Sequence, residues 1–366
     1  MSCISFRLVP PVGHPSDVAC VVGNHPALGE WQPSLALPMR REGAYLVGEA
    51  EVESGFELEY KIIRGSWEAE EVNAYGHVCE NHRHHVWLDA TLSRTIADWK
   101  DRYRGRLTPD QVHSQALAGG RDLLVWLPAE YGSVAGQRFP VLYLHDGANV
   151  FDPATSTISG VDLAADEWVS RLSAEGAFPS AIVVAVCHPE GFDEEGRSMR
   201  DVDLSPELGG AAVADFVATE LVAHIDARYR TLARPEARIL GGASLGALHT
   251  LFTALRHPTV FGKCICLSTS FEDVSLSVPS QSRQLRALAG LPGLPRDCRM
   301  YFDYGTEGLD ECYDPYHAEL GSLLREKGWR DGREFVIAKI PGGTHDELSW
   351  RQRLGAGLEW INPSRA

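Results

Sequence analysis

Over residues 1 to about 90, apolar positions alternate with polar ones in short runs: Ile4 to Leu8, Val18 to Val22, Ala44 to Val52 and Phe56 to Ile63. Each run is closed by Pro, Gly or Asn. Period-two alternation turns one face of a strand to a core and the other to water, so the spacing predicts a small antiparallel β-sandwich over 1–96. A polar, basic stretch from Asp98 to Arg106 interrupts the pattern, and 97–118 reads as a linker with a first edge strand. Beyond 119 the rhythm changes. Apolar strand candidates (Leu123 to Leu127, Val141 to Leu144, Ala181 to Val186, Ala237 to Leu240, Cys264 to Ser268, Met300 to Phe302, Phe335 to Ile340) alternate with longer helical patterns. The clearest helix is Ala212 to Ala227, with Val213, Phe216, Val217, Leu221 and Ile225 on one face. The pattern predicts an α/β domain over 119–366, a mostly parallel sheet flanked by helices on both faces.

One junction in that second half carries chemistry. The strand ending at Leu240 enters Gly241-Gly-Ala-Ser-Leu-Gly246, and an apolar helical run from Ala247 to Leu255 follows at once. Strand, Gly-x-Ser-x-Gly turn and helix are the order of a nucleophile elbow, the hallmark of an α/β-hydrolase fold. Gly242 and Gly246 supply the clearance such a tight turn needs. Ser244 then lies at the start of a helix, whose dipole favours a developing oxyanion and whose Leu245 N–H is a natural donor. The bland alternative is a Gly-rich connection that only lets a helix pack close to a sheet.

In this fold the triad follows the chain order Ser, acid, His. His345 lies after the last strand candidate, on the Gly-rich loop before the C-terminal helix, whereas His317 lies in a helical pattern and His249 and His257 sit on the helix after Ser244. His345 is therefore the candidate general base. The strand Met300 to Tyr304 opens into a loop with Asp303, Glu307, Asp310 and Glu311. Asp310 is the preferred acid because a loop can swing it to the imidazole; Glu307 stays open as the alternative, and Asp303 belongs to the strand. The second oxyanion donor is expected from Gly147 or Ala148 in His145-Asp-Gly-Ala-Asn-Val-Phe-Asp152, with His145 and Asp146 bracing that loop.

At these residues the chain resembles the esterase D-like family of α/β-hydrolases, which spans feruloyl, acetylxylan and enterochelin esterases. The resemblance rests on His145-Asp-Gly-x-Asn-x-Phe-Asp152, Tyr229-Arg-Thr231, Gly242-Ala-Ser-Leu-Gly246, Asp303-Tyr-Gly-Thr306 with Leu309-Asp310, and His345-x-Glu347 with Trp350 close behind. It implies a serine esterase and supports Asp310 as the acid. Ala148 and Leu245 stand where the family usually has Gln and often Met. The N-terminal half resembles a family 20 starch-binding module, through Gly23-Asn-x-x-x-Leu-Gly-Glu-Trp31, Phe56-Glu-Leu-Glu-Tyr-Lys61, Trp67-Glu68 and Asn81. The resemblance implies a sugar-stacking pair in Trp31 and Trp67, with Lys61, Glu68 and Asn81 bonding hydroxyls. Otherwise the two indoles are core residues of a small sandwich.

Charge narrows the partners. A formal net charge of -16 disfavours duplex nucleic acid and anionic lipid, whose affinity comes from Lys and Arg. Without a basic-then-apolar start or a long apolar run, the expected location is cytoplasmic. The eight cysteines are scattered, and Cys264 and Cys266 alternate on a strand as small hydrophobes would. The leading expectation is a serine carboxylic ester hydrolase acting on an acylated carbohydrate or glycoconjugate through an acyl-enzyme, with no metal or organic cofactor. The competing expectations are a siderophore or thioester hydrolase with a structural N-terminal lid, and a non-catalytic carbohydrate-binding scaffold.

Overall fold

The structure, a computed structural model, describes residues 1–11, 19–72, 78–100, 105–117, 119–133, 136–156, 160–271, 283–290 and 298–362. The chain divides into two compact units, Met1–Arg104 and Gly105–Ala366. Val18, the expected start of the second strand, lies outside the described residues.

The first unit contains β1 (Ser2–Val9), β2 (Cys20–Gly23), β3 (Leu37–Pro38), β4 (Arg40–Glu42), β5 (Tyr45–Val52), β6 (Glu57–Ile63), β7 (Glu71–Val72), β8 (His82–His85), β9 (Ala90–Thr95) and β10 (Asp98–Trp99). Two four-stranded sheets, β4-β5-β1-β9 and β3-β2-β6-β8, make the sandwich. The alternation in β6 works as expected: Leu58, Tyr60 and Ile62 are fully buried while Glu57, Glu59 and Lys61 face outward. Two details differ from the sequence reading. β9 lies parallel to β1, so the sandwich is not wholly antiparallel. The stretch from 98 also does not begin a linker: β10 pairs with β7, and Trp99 is fully buried in the sandwich core beside Phe6, Tyr60 and Ile62. An indole of that size outweighs the polar residues around it, which is why a composition-based boundary fell short.

The second unit runs β11 (Arg106–Val112), β12 (Arg121–Leu127), α1 (Glu130–Ser133), β13 (Val141–Leu144), α2 (Ala165–Ala174), β14 (Ile182–Val186), α3 (Met199–Leu204), α4 (Gly210–Phe216), α5 (Val222–Arg228), β15 (Arg238–Ala243), α6 (Leu245–Arg256), β16 (Lys263–Leu267), α7 (Arg283–Ala289), β17 (Arg299–Gly305), α8 (Asp314–Glu326), β18 (Phe335–Ile340) and α9 (Glu347–Ile361). Among the described residues, eight strands of this unit form one sheet, ordered β11-β12-β14-β13-β15-β16-β17-β18. It is antiparallel at β11, β12 and β14 and parallel from β14 onward. This is an α/β-hydrolase sheet.

Alternate residues of the central strands feed opposite cores. Leu142, Leu144, Ile239 and Ile265 pack with Trp168 of α2 and Leu354 and Leu358 of α9. On the other face Tyr143 and Leu240 pack with Phe216 and Ile225, and Cys264 and Cys266 with Leu251 of α6 and Leu320 of α8. The helix expected over 212–227 is an unbroken run through α4 and α5, with a π-helical turn at Val217–Leu221 between them. The extra residue in that turn keeps Val213, Phe216, Leu221 and Ile225 all on the buried side.

Candidate active site

The parallel strands β13, β15, β16, β17 and β18 all end at the same edge of the sheet, and the loops beyond those ends meet there. β15 runs straight into α6 through Ser244, whose backbone is held at φ 55 and ψ -122. A non-glycine residue in that region costs on the order of 1–3 kcal/mol and is kept only by its surroundings. Here the restraint is visible: Ser244 N–H donates to the Leu267 carbonyl (2.9 Å), and its own carbonyl accepts from Ala247 and Leu248 in the first turn of α6. A Cβ on Gly242 would sit 2.6 Å from the carbonyl carbon of Gly246, so the strand and helix can approach this closely only with glycine.

The loops after β17 and β18 are tied together, since Thr306 N–H and Glu307 N–H both donate to the Gly343 carbonyl at 3.0 Å. This places His345 between the other two groups. Its Nδ1 lies 2.7 Å from Asp310 Oδ1, and its Nε2 lies 2.9 Å from Ser244 Oγ. A carboxylate only accepts, so Nδ1 carries the proton and Nε2 is left to accept from the serine hydroxyl. Asp310 is fully buried on a 3-10 turn, Gly308–Cys312. Burial alone would raise its carboxyl, but hydrogen bonds from His345, Ser268 and Gly305 outweigh that and hold it below the usual carboxylate range. Glu307 is exposed at the edge of the turn. Asp303 stays within β17, fully buried against Arg353 at 3.1 Å, and burial pushes its carboxyl up to about 6. His317 lies buried on α8, stacked on Tyr304, and makes no bond to Ser244.

The residues expected to supply oxyanion donors flank Ser244. Leu245 is the first residue of α6, where helical N–H groups have no partner within the helix. Gly147 opens a 3-10 turn, Gly147–Asn149, beyond β13, the immediate neighbour of β15, with Ala148 next in that turn. The turn touches the elbow: a Cβ on Gly246 would lie 3.1 Å from Asp146 Oδ2 and 3.2 Å from His145 Cβ. Two braces hold it. Asp146 takes a bidentate pair from Arg200 of α3 at 2.6 and 2.8 Å. His145 and His249 form a buried pair at 3.2 Å, with His249 Nε2 at 3.0 Å from the Gly210 carbonyl. Burial keeps both rings neutral, His249 at about 4. A cavity of about 300 Å³ opens over Ser244 and His345, walled by Leu163, Arg200, Ala243, Glu347 and Trp350. Among the described residues no three His, Cys, Asp or Glu side chains are grouped as metal ligands would be.

In the first unit Trp31 and Trp67 are half-buried rather than core, with ring centroids 6.4 Å apart and planes at 32°. Lys61 faces outward on β6, its Nζ 3.0 Å from buried Glu70, which Lys100 also holds at 2.7 Å. Asn81 is exposed and donates to Glu59, two residues from Lys61 on the same strand face. Glu68 is exposed beside Trp67 in the same 3-10 turn.

The sequence reading missed the buried groups behind the acid, Ser268 and Arg353, and the cation Arg200. For Ser268 a signal existed: it is the first residue after β16, the strand between those that end in Ser244 and in the Asp310 loop. Among the described residues, no helix is long and apolar enough to cross a membrane.

Comparison with known proteins agrees with this architecture. The Esterase family model matches residues 114–361, and a starch binding domain model matches residues 3–96. The protein YbbA of Bacillus subtilis (strain 168) is 22% identical over 261 residues, 68% of this chain and 95% of that one. Among solved structures, a ferulic acid esterase is similar at 19% identity and TM-score 0.50, covering 71% of this chain and 98% of its own. The ferric enterobactin esterase of Salmonella typhimurium is similar at 16% identity and TM-score 0.52, covering 98% of this chain and 92% of its own. The family match spans more than half of the chain and includes both the elbow and the His345 loop. The chain thus belongs to the Esterase family: it is a carboxylic ester hydrolase of the α/β-hydrolase fold that carries a starch-binding domain at its N-terminus.

Proposed function

We propose that the enzyme cleaves its ester through an acyl-Ser244 intermediate. His345 Nε2 takes the Ser244 proton as Oγ attacks the ester carbonyl, and the imidazolium is stabilised by Asp310. The N–H groups of Leu245 and of Gly147 or Ala148 receive the oxyanion. His345 then passes its proton to the departing alkoxide, and a water activated by the same nitrogen releases the acid and restores Ser244. The observation that carries this reading is the unbroken relay from Ser244 Oγ to His345 (2.9 Å) and on to Asp310 (2.7 Å), set on a strained elbow. A fluorophosphonate should label Ser244 alone, and Ser244→Ala should remove both labelling and nearly all turnover of an aryl ester. Activity of Ser244→Ala within tenfold of wild type would overturn the assignment.

The substrate we assign to it is an acylated carbohydrate or glycoconjugate, delivered by the N-terminal domain. Supporting this are the starch binding domain match and the two half-exposed indoles, whose spacing suits stacking on the apolar faces of a glucan. A second reading, a siderophore-type ester with the N-terminal unit in a structural role, draws on one observation: the likeness to ferric enterobactin esterase extends over both units. Retention on soluble starch, measured beside hydrolysis of acylated sugars and of a catecholate trilactone, separates the two.

A further inference from the structure

The carboxylate of Asp310 has two oxygens with different duties. Oδ1 faces His345. Oδ2 accepts from Gly305 N–H at 2.6 Å and from Ser268 Oγ at 2.6 Å. The hydroxyl of Ser268 is itself surrounded: Trp350 Nε1–H donates to it at 3.0 Å and Arg353 Nη2–H at 2.9 Å. Neither of those groups can accept, so both lone pairs are engaged and the hydroxyl proton has one destination, Asp310. Ser268 is fully buried, and its backbone is held at φ 44, anchored by its N–H to the Asp303 carbonyl at 2.9 Å. A serine kept in a strained conformation, with all three of its hydroxyl bonds made, is a built feature rather than filler.

We infer that Ser268 is a positioning residue for the hydrolysis: its hydroxyl locks the rotation of the Asp310 carboxylate so that Oδ1 points at His345 Nδ1. This rests on the reading of Ser244, His345 and Asp310 as a triad. The neighbouring acid is held by longer bonds. Asp303 also has no exposed surface, and its bonds to Arg353, Ser268 N–H and Tyr301 run 3.1 to 3.3 Å, against 2.6 Å for both bonds to Asp310 Oδ2; burial, the largest influence on Asp303, pushes its carboxyl up. The other charged or titratable groups facing Asp310 are His345 and Arg353, whose Nη2 is 3.8 Å away, and, across α8, His317, which its charge influences.

The sign of the effect on pH dependence follows from the bond lost. Without the Ser268 donor the carboxylate binds a proton more tightly and pairs more strongly with the imidazolium. The His345 and Asp310 pair then keeps its proton to higher pH, and the acidic limb of kcat/KM moves up.

The test uses the full-length enzyme and a small aryl ester. Ser268→Ala should lower kcat about 10- to 100-fold, leave KM within twofold, and move the acidic limb up by about half to one pH unit. Ser268→Gly, which adopts φ 44 without strain, should fold at least as well and give the same result. Folded variants with kcat within threefold of wild type, or with lowered kcat and an unmoved acidic limb, would overturn the inference. So would failure of Ser268→Gly to fold, since the loss would then be structural. Ser244→Ala is measured alongside: if it stays active the triad reading itself fails, whereas an inactive Ser244→Ala beside normal Ser268 variants removes only the role of Ser268.

Discussion

Replacing Asp310 by Asn while leaving every contact distance available separates the two acids that the loop after β17 offers. The amide keeps one acceptor oxygen and gains a donor. Gly305 N–H is a fixed backbone donor 2.6 Å from Oδ2, so the amide oxygen must take that side and its NH₂ must face His345 Nδ1. Two donors cannot share a 2.7 Å contact, and the imidazole responds by moving its proton to Nε2. It can then no longer accept from Ser244. A fold that keeps its geometry but holds the wrong tautomer loses roughly 10⁴ in kcat, as the equivalent change does in serine proteases, which corresponds to about 5 kcal/mol of barrier. Glu307 is exposed and outside hydrogen-bond reach of this arrangement, so Glu307→Gln should stay within about threefold of wild type. The assay is hydrolysis of an aryl acetate, normalised to protein concentration, with circular dichroism to establish folding. Asp310→Asn retaining a tenth of wild-type turnover, or Glu307→Gln losing more than Asp310→Asn, would refute the reasoning.

Three further outcomes are expected. Trp31→Ala and Trp67→Ala should each abolish retention on soluble starch or cyclodextrin while leaving aryl-ester turnover and the thermal melt nearly unchanged; a lowered melt without any change in starch retention would return the indoles to a packing role. His317 is buried among Tyr304, Tyr313 and Phe271 and is pushed by burial to about 4, so its proton prefers the unfolded chain. Its contribution is present above about 6.5 and lost as pH falls towards 4, about 2 kcal/mol by pH 5; His317→Phe should therefore narrow the drop in Tm between pH 7 and pH 5, and an unchanged drop would contradict this. Gly147→Ala should cut kcat at least tenfold, because the added Cβ would lie 2.7 Å from Cys187 Sγ and 2.9 Å from its backbone nitrogen, displacing the turn proposed to receive the oxyanion; kcat within twofold would argue against that role.

Much of this molecule is written locally. The period-two runs of β1 and β6 and the helical stripe from Val213 to Ile225 announce their own burial, because side-chain direction follows from backbone repeat alone. The elbow is equally local: Gly242, Ser244 and Gly246 sit in one turn between a strand and a helix, and the position of His345 after the last strand follows from chain order. What the sequence could not decide is which distant groups meet. Asp310 and Glu307 are three residues apart in one loop, and both are plausible partners until the 3-10 turn Gly308–Cys312 buries one and exposes the other. Trp99 looks like part of a polar linker until the sandwich closes over it, and Trp31 and Trp67, read as a stacking pair or else as core, are left half exposed on turns outside the strands. Ser268 and Arg353 are 85 residues apart and become partners only when the end of β16 and the face of α9 are brought together behind Asp310. Periodicity and turn chemistry act over a few residues, so they determine the elements; hydrogen bonds between buried polar groups depend on where those elements end in space, and only the packed sheet determines that.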